Sequence, residues 1–291
     1  MKIVFSRKGW DSSAGGAPSP IFPSGEICSM PIPEPGSLKL GQLAPRHITS
    51  MVADLGSLAA DLTRRKRKNR MGPHTPIHLD PFLCPDSLGG AFRNWRPAFG
   101  QESAAATHLT NNAIGSGDLF LFFGLFRKVY KDRNGNWSYE PKSYPIHLMW
   151  GWLQVENALD LKRDPVHSGL KHHPHVINNN QYGPKNLVFL PTAHLRNVGG
   201  IRRPGAGIFT HFHSSRQLTV PNYSCSKWRL PSWFGLQGGI GVDLTYHEQV
   251  PYHKNGANEI VFTSRGRGQE FVFDSSKRRH HATSYLQSVF R

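Results

Sequence analysis

The sequence predicts an α+β fold: a mostly antiparallel sheet or partly closed β-barrel with a few helices and many long loops. Three observations predict it. The chain carries 29 Gly and 22 Pro among 291 residues, a share that favours turns and irregular connections over long helices. Only one long stretch, Arg46 to Arg65, has apolar residues at three- and four-residue spacing. Two aromatic-rich runs of strand length, Gly117 to Arg127 and Ile146 to Glu156, flank a turn-forming segment. With 38% apolar residues the chain can build its own core, and no repeat or linker divides it, so a single domain over 1–291 is expected.

Taken in order, Lys2 to Phe5 reads as a buried strand. It runs into a loop of small and charged residues, Ser6-Arg7-Lys8-Gly9-Trp10-Asp11-Ser12-Ser13-Ala14-Gly15-Gly16. The prolines from Pro18 to Pro35 enforce an extended path. The Arg46 to Arg65 helix puts Ile48, Met51, Val52, Leu55, Leu58, Ala59 and Leu62 on one face. It ends in the cation cluster Arg64, Arg65, Lys66, Arg67, Lys68 and Arg70. That density exceeds what a helix C-terminus calls for and favours phosphate contact. A short helix is expected from about Gly100 to Asn112.

The two aromatic strands, joined across Asp132-Arg133-Asn134-Gly135-Asn136, form the centre of the expected sheet. Shorter strands are expected near 186–190, 208–212, 240–244 and 270–273. Residues 275–291, opening with Ser275-Ser276-Lys277-Arg278-Arg279-His280-His281, read as a mobile basic tail.

Thirty-five Lys and Arg against nineteen Asp and Glu give a formal charge of +16, which attracts polyanions and makes nucleic acid the expected partner. No long amphipathic helix pairs a basic face with bulky aromatics, so a membrane is not an expected partner. Cys28, Cys84 and Cys225 form no Cys-x-x-Cys pair, which argues against a zinc ribbon or disulfide framework and for a reducing, cytoplasmic setting. No Gly-Lys-Ser/Thr phosphate loop, strand-linked dinucleotide fingerprint or paired-cysteine deaminase signature is present.

Chemistry can be placed at five points. In the first loop, Lys8 is suited to a phosphate, Asp11 to a base or metal ligand, and Ser12 to a nucleophile. The alternative is an Asp-Ser turn in which Asp11 caps backbone amides, but a long loop of small residues directly after a strand favours function. His78 and Asp80 are two apart in an extended segment and share a side, as a carboxylate-oriented proton-transfer couple or metal pair would. His173 and His175, in His172-His173-Pro174-His175, match no closed zinc site and are expected to contact phosphate or base; no metal is assigned. Tryptophans near arginines, Trp150 among them, offer rings for stacking an extruded base, although most tryptophans belong to the core. Arg265, Arg267, Gln269 and Glu270 can face a nucleotide, Arg toward phosphate and Gln toward a base edge.

Six motifs recur in a consistent order: the Ser6 to Gly16 loop, His78-Leu79-Asp80-Pro81, Gly117-Asp118-Leu119-Phe120-Leu121-Phe122-Phe123-Gly124, Trp150-Gly151-Trp152-Leu153-Gln154-Val155, His173-Pro174-His175 and Gly266-Arg267-Gly268-Gln269-Glu270-Phe271-Val272. Together, over nearly the whole chain, they resemble the nucleotide modification associated domain 3 family. The stretch 115–160 is also similar to the base-reading β-barrels of pseudouridine-synthase-and-archaeosine-transglycosylase-like domains.

The family resemblance implies a role in a system handling modified nucleotides, without defining a reaction or cofactor. The expectation is action on modified nucleotides in DNA rather than RNA, with Asp11, Ser12, His78 and Asp80 converging on one pocket. Arg7, Lys8, Arg64, Arg65, Lys66, Arg67, Lys68, Trp150, His173, His175, Arg267 and Gln269 would bind the nucleic acid. The alternative is a non-catalytic reader of a flipped-out base. Oligomeric state is not addressed by the sequence.

Overall fold

A computed structural model describes the chain except at residues 13, 51, 85–87, 90–94, 237, 239 and 267–269, with backbone alone at 88 and 89. The N-terminal part contains β1 (Lys2–Arg7), β2 (Ser19–Ile21), β3 (Leu38–Lys39), β4 (Ala44–Pro45), α1 (Leu55–Thr63), β5 (Pro76–Ile77) and β6 (Leu88–Gly89). The middle contains β7 (Phe99–Glu102), α2 (Ser103–Asn111), β8 (Leu119–Lys131), β9 (Trp137–Tyr139), β10 (Ile146–Asp160), α3 (Pro174–Ile177) and β11 (Asn186–Pro191). Then come β12 (Ala206–Ile208), β13 (Lys227–Pro231), β14 (Tyr252–Asn255), β15 (Glu259–Thr263), β16 (Glu270–Asp274) and α4 (Arg279–Val289).

The principal sheet runs β16-β1-β8-β10-β11-β7, with β2 and β9 also on β8 and β12 on β10. Its centre is the predicted pair: β8 and β10 lie antiparallel with Leu153 opposite Phe120. The first eight residues of β8 are all buried, as an uninterrupted apolar run with both faces covered should be. β13, β15 and β14 make a separate antiparallel sheet that the sequence reading did not anticipate.

β1 and β2 join β8 in parallel, Ile3 opposite Leu119 and Ser19 opposite Phe126, so the sheet is mixed. A parallel join requires a long crossover. Here the excursion between β1 and β8 carries α1 and the His78–Asp80 segment, bringing both back onto the sheet.

The sheet is curled and half-barrel-like, as the sequence predicts for an α+β chain. Its two ends approach one another. β7 and β16 lie at opposite ends of the strand order, yet Gln101 Nε2 on β7 donates to Glu270 Oε1 on β16 at 2.5 Å. The seam between them carries the candidate site.

The two larger clusters of apolar side chains hold these parts. One fills the sheet with Phe5, Phe99, Phe120, Phe122, Phe123 and Trp228. The other seats Leu55, Leu58 and Leu62 of α1 against Trp10, Phe22 and Trp137.

α1 begins nine residues later than predicted, for two local reasons. Glu26 draws residues 49–50 aside by accepting from Thr49 N, Thr49 Oγ1 and Ser50 Oγ at 2.7–2.9 Å. Asp54 then caps the helix, accepting from Ser57 N at 2.8 Å. The expected 100–112 helix gives its first residues to β7, because Gly100 and Gln101 pair with Val188 and Leu187 of β11. Residues 240–244 form only isolated bridges instead of a strand.

The expected mobile tail at 275–291 is instead ordered. α4 turns Ala282, Leu286 and Val289 into the main core, with its charged residues outward. Among the described residues no helix is long and apolar enough to cross a membrane.

Candidate functional site

A cleft of about 800 Å³ opens at the seam. Lys8 enters it just beyond β1, His78 and Asp80 just beyond β5, Gly100 to Glu102 from β7, His175 from α3, and Glu270 from the start of β16. Asp80 is its centre. Its carboxylate is buried, with Oδ1 accepting from Gly100 N at 2.8 Å and lying 3.2 Å from His173 Nε2. Oδ2 faces two imidazoles, His175 Nε2 at 3.6 Å and His78 Nε2 at 3.8 Å.

The electrostatics follow from this crowding. Burial alone would raise the Asp80 carboxyl, but the facing imidazoles of His173 and His78 outweigh it and hold the group well below the ordinary carboxylate value. Burial pushes His175 down to about 4, against the pull of Asp80, so its ring is neutral at neutral pH. His175 Nδ1 lies 2.6 Å from Asn186 Oδ1. The Asn186 amide is oriented by its Nδ2, which donates to His175 O at 2.9 Å and Asn179 Oδ1 at 3.0 Å. Asn186 Oδ1 is therefore the acceptor, His175 Nδ1 carries the hydrogen, and the Nε2 lone pair faces the cleft.

Gly100 makes this packing possible. A Cβ there would lie 2.2 Å from His175 Cδ2, so only a residue without a side chain lets the ring sit on β7. Tyr182 stacks on the same ring, with centroids 4.7 Å apart.

Also in the lining, Lys8 and Glu270 form a buried ion pair at 3.4 Å, and the Lys8 ammonium lies 4.9 Å from the centre of the Phe99 ring. Glu270 Oε2 is buried without a hydrogen-bond partner. The mouth carries His108 stacked on Tyr246, centroids 4.7 Å apart, and Arg265. Two cleft residues, Ser103 and Tyr246, hold left-handed φ values of 52° and 67°. Such strain costs about 1–3 kcal/mol per residue and clusters at working sites.

The cleft brings together six of the sequence-predicted residues, Lys8, His78, Asp80, His175, Arg265 and Glu270, with His173 behind Asp80. Asp11 and Ser12 are not among its described lining residues. Asp11 closes a turn instead, accepting from Ala14 N at 2.6 Å. Gly15 is needed because a Cβ would strike Trp10 at 2.9 Å, and Lys66 Nζ donates to the Gly15 carbonyl at 3.1 Å and to that of Gly16. The small-residue loop is thus built over Trp10, with its carbonyls turned to a lysine instead of its amides to a phosphate.

The cation cluster divides in the same way. Arg64 is spent on the β8–β9 hairpin, donating to Trp137 O at 2.9 Å, Ser138 Oγ at 2.6 Å and Asp132. Arg65, Arg67 and Lys68 are exposed. Arg7 donates to the carbonyls of Arg265 and Gly266 at 3.2 and 3.1 Å. Trp150 is buried, its indole N–H on Lys8 O at 3.2 Å, so it is a core residue and not a stacking platform. Arg267 and Gln269 lie outside the described residues.

Sequence reasoning missed Gly100, Glu34, Asn186, Tyr182 and Tyr246. Two had a signal: a glycine in a strand marks close approach, and Asn186 opens an apolar strand at a buried position.

His78, Asp80 and His175 also form the one group of metal-capable side chains found among the described residues, with a donor atom from each lying within 4.8 Å of the others. A buried carboxylate among imidazoles at the floor of an open cleft can move protons, hold a cation, or both.

The fold and site define a curled-sheet α+β protein with a carboxylate–imidazole centre at its seam. The chain belongs to the nucleotide modification associated domain 3 family, whose pattern matches residues 2–274, nearly the whole of it. No curated protein and no solved structure matches it significantly. The family description associates the protein with nucleotide modification.

Proposed function

We propose that this protein is an enzyme that alters a modified nucleotide of DNA, presented singly in the seam cleft. One observation carries the reading: Asp80, ringed by His78, His173 and His175, lies at the floor of an 800 Å³ cleft with tyrosines on its walls. That volume suits one nucleotide and excludes a stacked duplex, so a base from a polymer would enter extruded. Tyr182 and Tyr246 offer ring surfaces to such a base, and Arg265 offers a cation to its phosphate.

Burying a carboxylate among imidazoles is costly, and a pocket that only reads a base gains little from it. A neutral His175 beside an ionised Asp80 is suited instead to accepting a proton from, or polarising, a bound group. The net charge of +16, with Arg65, Arg67 and Lys68 exposed, supports a polyanionic substrate.

The test is incubation of the protein with DNA and RNA oligonucleotides and free nucleotides, carrying modified or unmodified bases, followed by nucleoside mass spectrometry. A mass change confined to modified DNA is the expected result. Tight, modification-dependent binding that leaves every nucleoside unchanged would replace the enzyme with a reader.

A further inference from the structure

We infer that His78 Nε2, Asp80 Oδ2 and His175 Nε2 bind one divalent first-row transition metal ion, with coordination positions left open toward the cleft. Three observations support this.

The first is spacing. Donors bound at about 2.0–2.2 Å to a common ion stand roughly 3.0–3.5 Å apart. The two donor pairs at Asp80 Oδ2 stand at 3.6 and 3.8 Å, within a few tenths of an ångström of that spacing, and the donor atoms of all three residues lie within 4.8 Å of one another.

The second is the unreconciled contact at His175. The Asn186 network places a hydrogen on Nδ1, so Nε2 is the ring nitrogen turned to the Asp80 carboxylate, and it stands 3.6 Å from Oδ2, beyond hydrogen-bond distance. A cation between them satisfies both.

The third is the support behind each donor. Metal-binding imidazoles commonly turn their other nitrogen to an oxygen acceptor, and here His175 faces Asn186 while His78 Nδ1 lies 3.6 Å from Glu34 Oε2. Asp80 has its second oxygen held by Gly100 N, which turns Oδ2 toward the imidazoles. His173 lies on that far side, 3.2 Å from Oδ1, as a positioning residue.

Two imidazoles and one carboxylate select a transition metal over calcium or magnesium, which take oxygen donors. With three protein donors, water or a substrate oxygen completes the shell from the cleft side. This deepens the proposed function by giving the same site a cofactor, which would polarise the bound group in place of the His175 ring. Metal-independent turnover would remove the ion and keep the enzyme, whereas metal binding without turnover would keep the ion and remove the enzyme.

The experiment is to strip the full-length protein with chelator, then titrate it with Co²⁺, Mn²⁺, Zn²⁺ and, anaerobically, Fe²⁺. Binding is read by calorimetry and by the visible absorption of Co²⁺. The expected result is one equivalent per chain. Loss of binding is expected in Asp80→Asn and His78→Gln, and a roughly 10–100-fold weakening in Asn186→Ala, which touches no ion. His78→Gln guards against misfolding because that ring lies at the cleft surface, and circular dichroism confirms the fold of each variant. No binding by the stripped parent at millimolar metal, or equal affinity in folded Asp80→Asn and His78→Gln proteins, overturns the site.

Discussion

Gly100→Ala is the most economical perturbation of the site, because it adds one carbon and removes no functional group. The new Cβ would stand 2.2, 2.4 and 2.7 Å from Cδ2, Cγ and Nε2 of His175. Carbon atoms rest at about 3.5–4.0 Å, so the ring must withdraw by roughly 1 Å or more. It has little room, being tied to Asn186 at 2.6 Å and covered by Tyr182. Overpacking of this kind costs about 1–3 kcal/mol, which in a chain of this size lowers the unfolding midpoint by on the order of 5 °C. A displacement of that size at a reacting group reduces turnover by about 100-fold. Thermal unfolding and nucleoside mass spectrometry would be compared with those of Gly115→Ala, where a Cβ meets open space and nothing should change. A Gly100→Ala protein with parental midpoint and parental turnover would refute the seating of His175 on β7.

The divided cation cluster predicts that Arg64→Ala lowers thermal stability, whereas Arg67→Ala leaves it unchanged and reduces the salt slope of DNA binding by about 1; identical behaviour of the two in both assays would count against the division. The docked C-terminal helix predicts that Leu286→Ala costs about 2–5 kcal/mol in denaturant unfolding, and a cost near zero would restore the mobile tail. Burial opposes ionisation of Glu26, but donors from Thr49, Ser50 and Ser24 outweigh it and lower its carboxyl from 4.5 to about 2. Because the folded-state value is the lower one, this contribution is complete above pH 4.5 and is lost as pH falls toward 2. Glu26→Gln should therefore lower the midpoint at neutral pH and flatten its acid-side decline, and parallel midpoint–pH profiles would contradict the assignment.

What could be read from the sequence was what local pattern encodes. The continuous apolar runs of β8 and β10 gave the centre of the sheet, and the turn at 132–136 gave the reversal after β8. The start of α1 was misplaced because the Glu26 carboxylate that draws off Thr49 and Ser50 lies more than twenty residues away, and apolar spacing cannot register it. The basic tail was misread for a related reason: charge dominates 277–281, while the buried face of α4 lies in Ala282, Leu286 and Val289 just beyond. At the site, the His78–Asp80 couple was legible from its two-residue spacing, and His175 from its neighbours. Their meeting was not, because it depends on a parallel crossover and on a sheet that curls until Gln101 touches Glu270. The first loop misled in the opposite direction: its small and charged residues suggested chemistry, whereas Gly15 serves a tryptophan.

On the proposed function, the chemistry falls to the Asp80 cluster and not to the N-terminal loop. The most direct measurement compares Asp80→Asn, Ser12→Ala and parent protein by nucleoside mass spectrometry on the same modified DNA, with circular dichroism to establish that each is folded. Ser12→Ala should match the parent while Asp80→Asn leaves the DNA unaltered. Parental turnover by Asp80→Asn, or its loss in Ser12→Ala alone, would contradict that assignment.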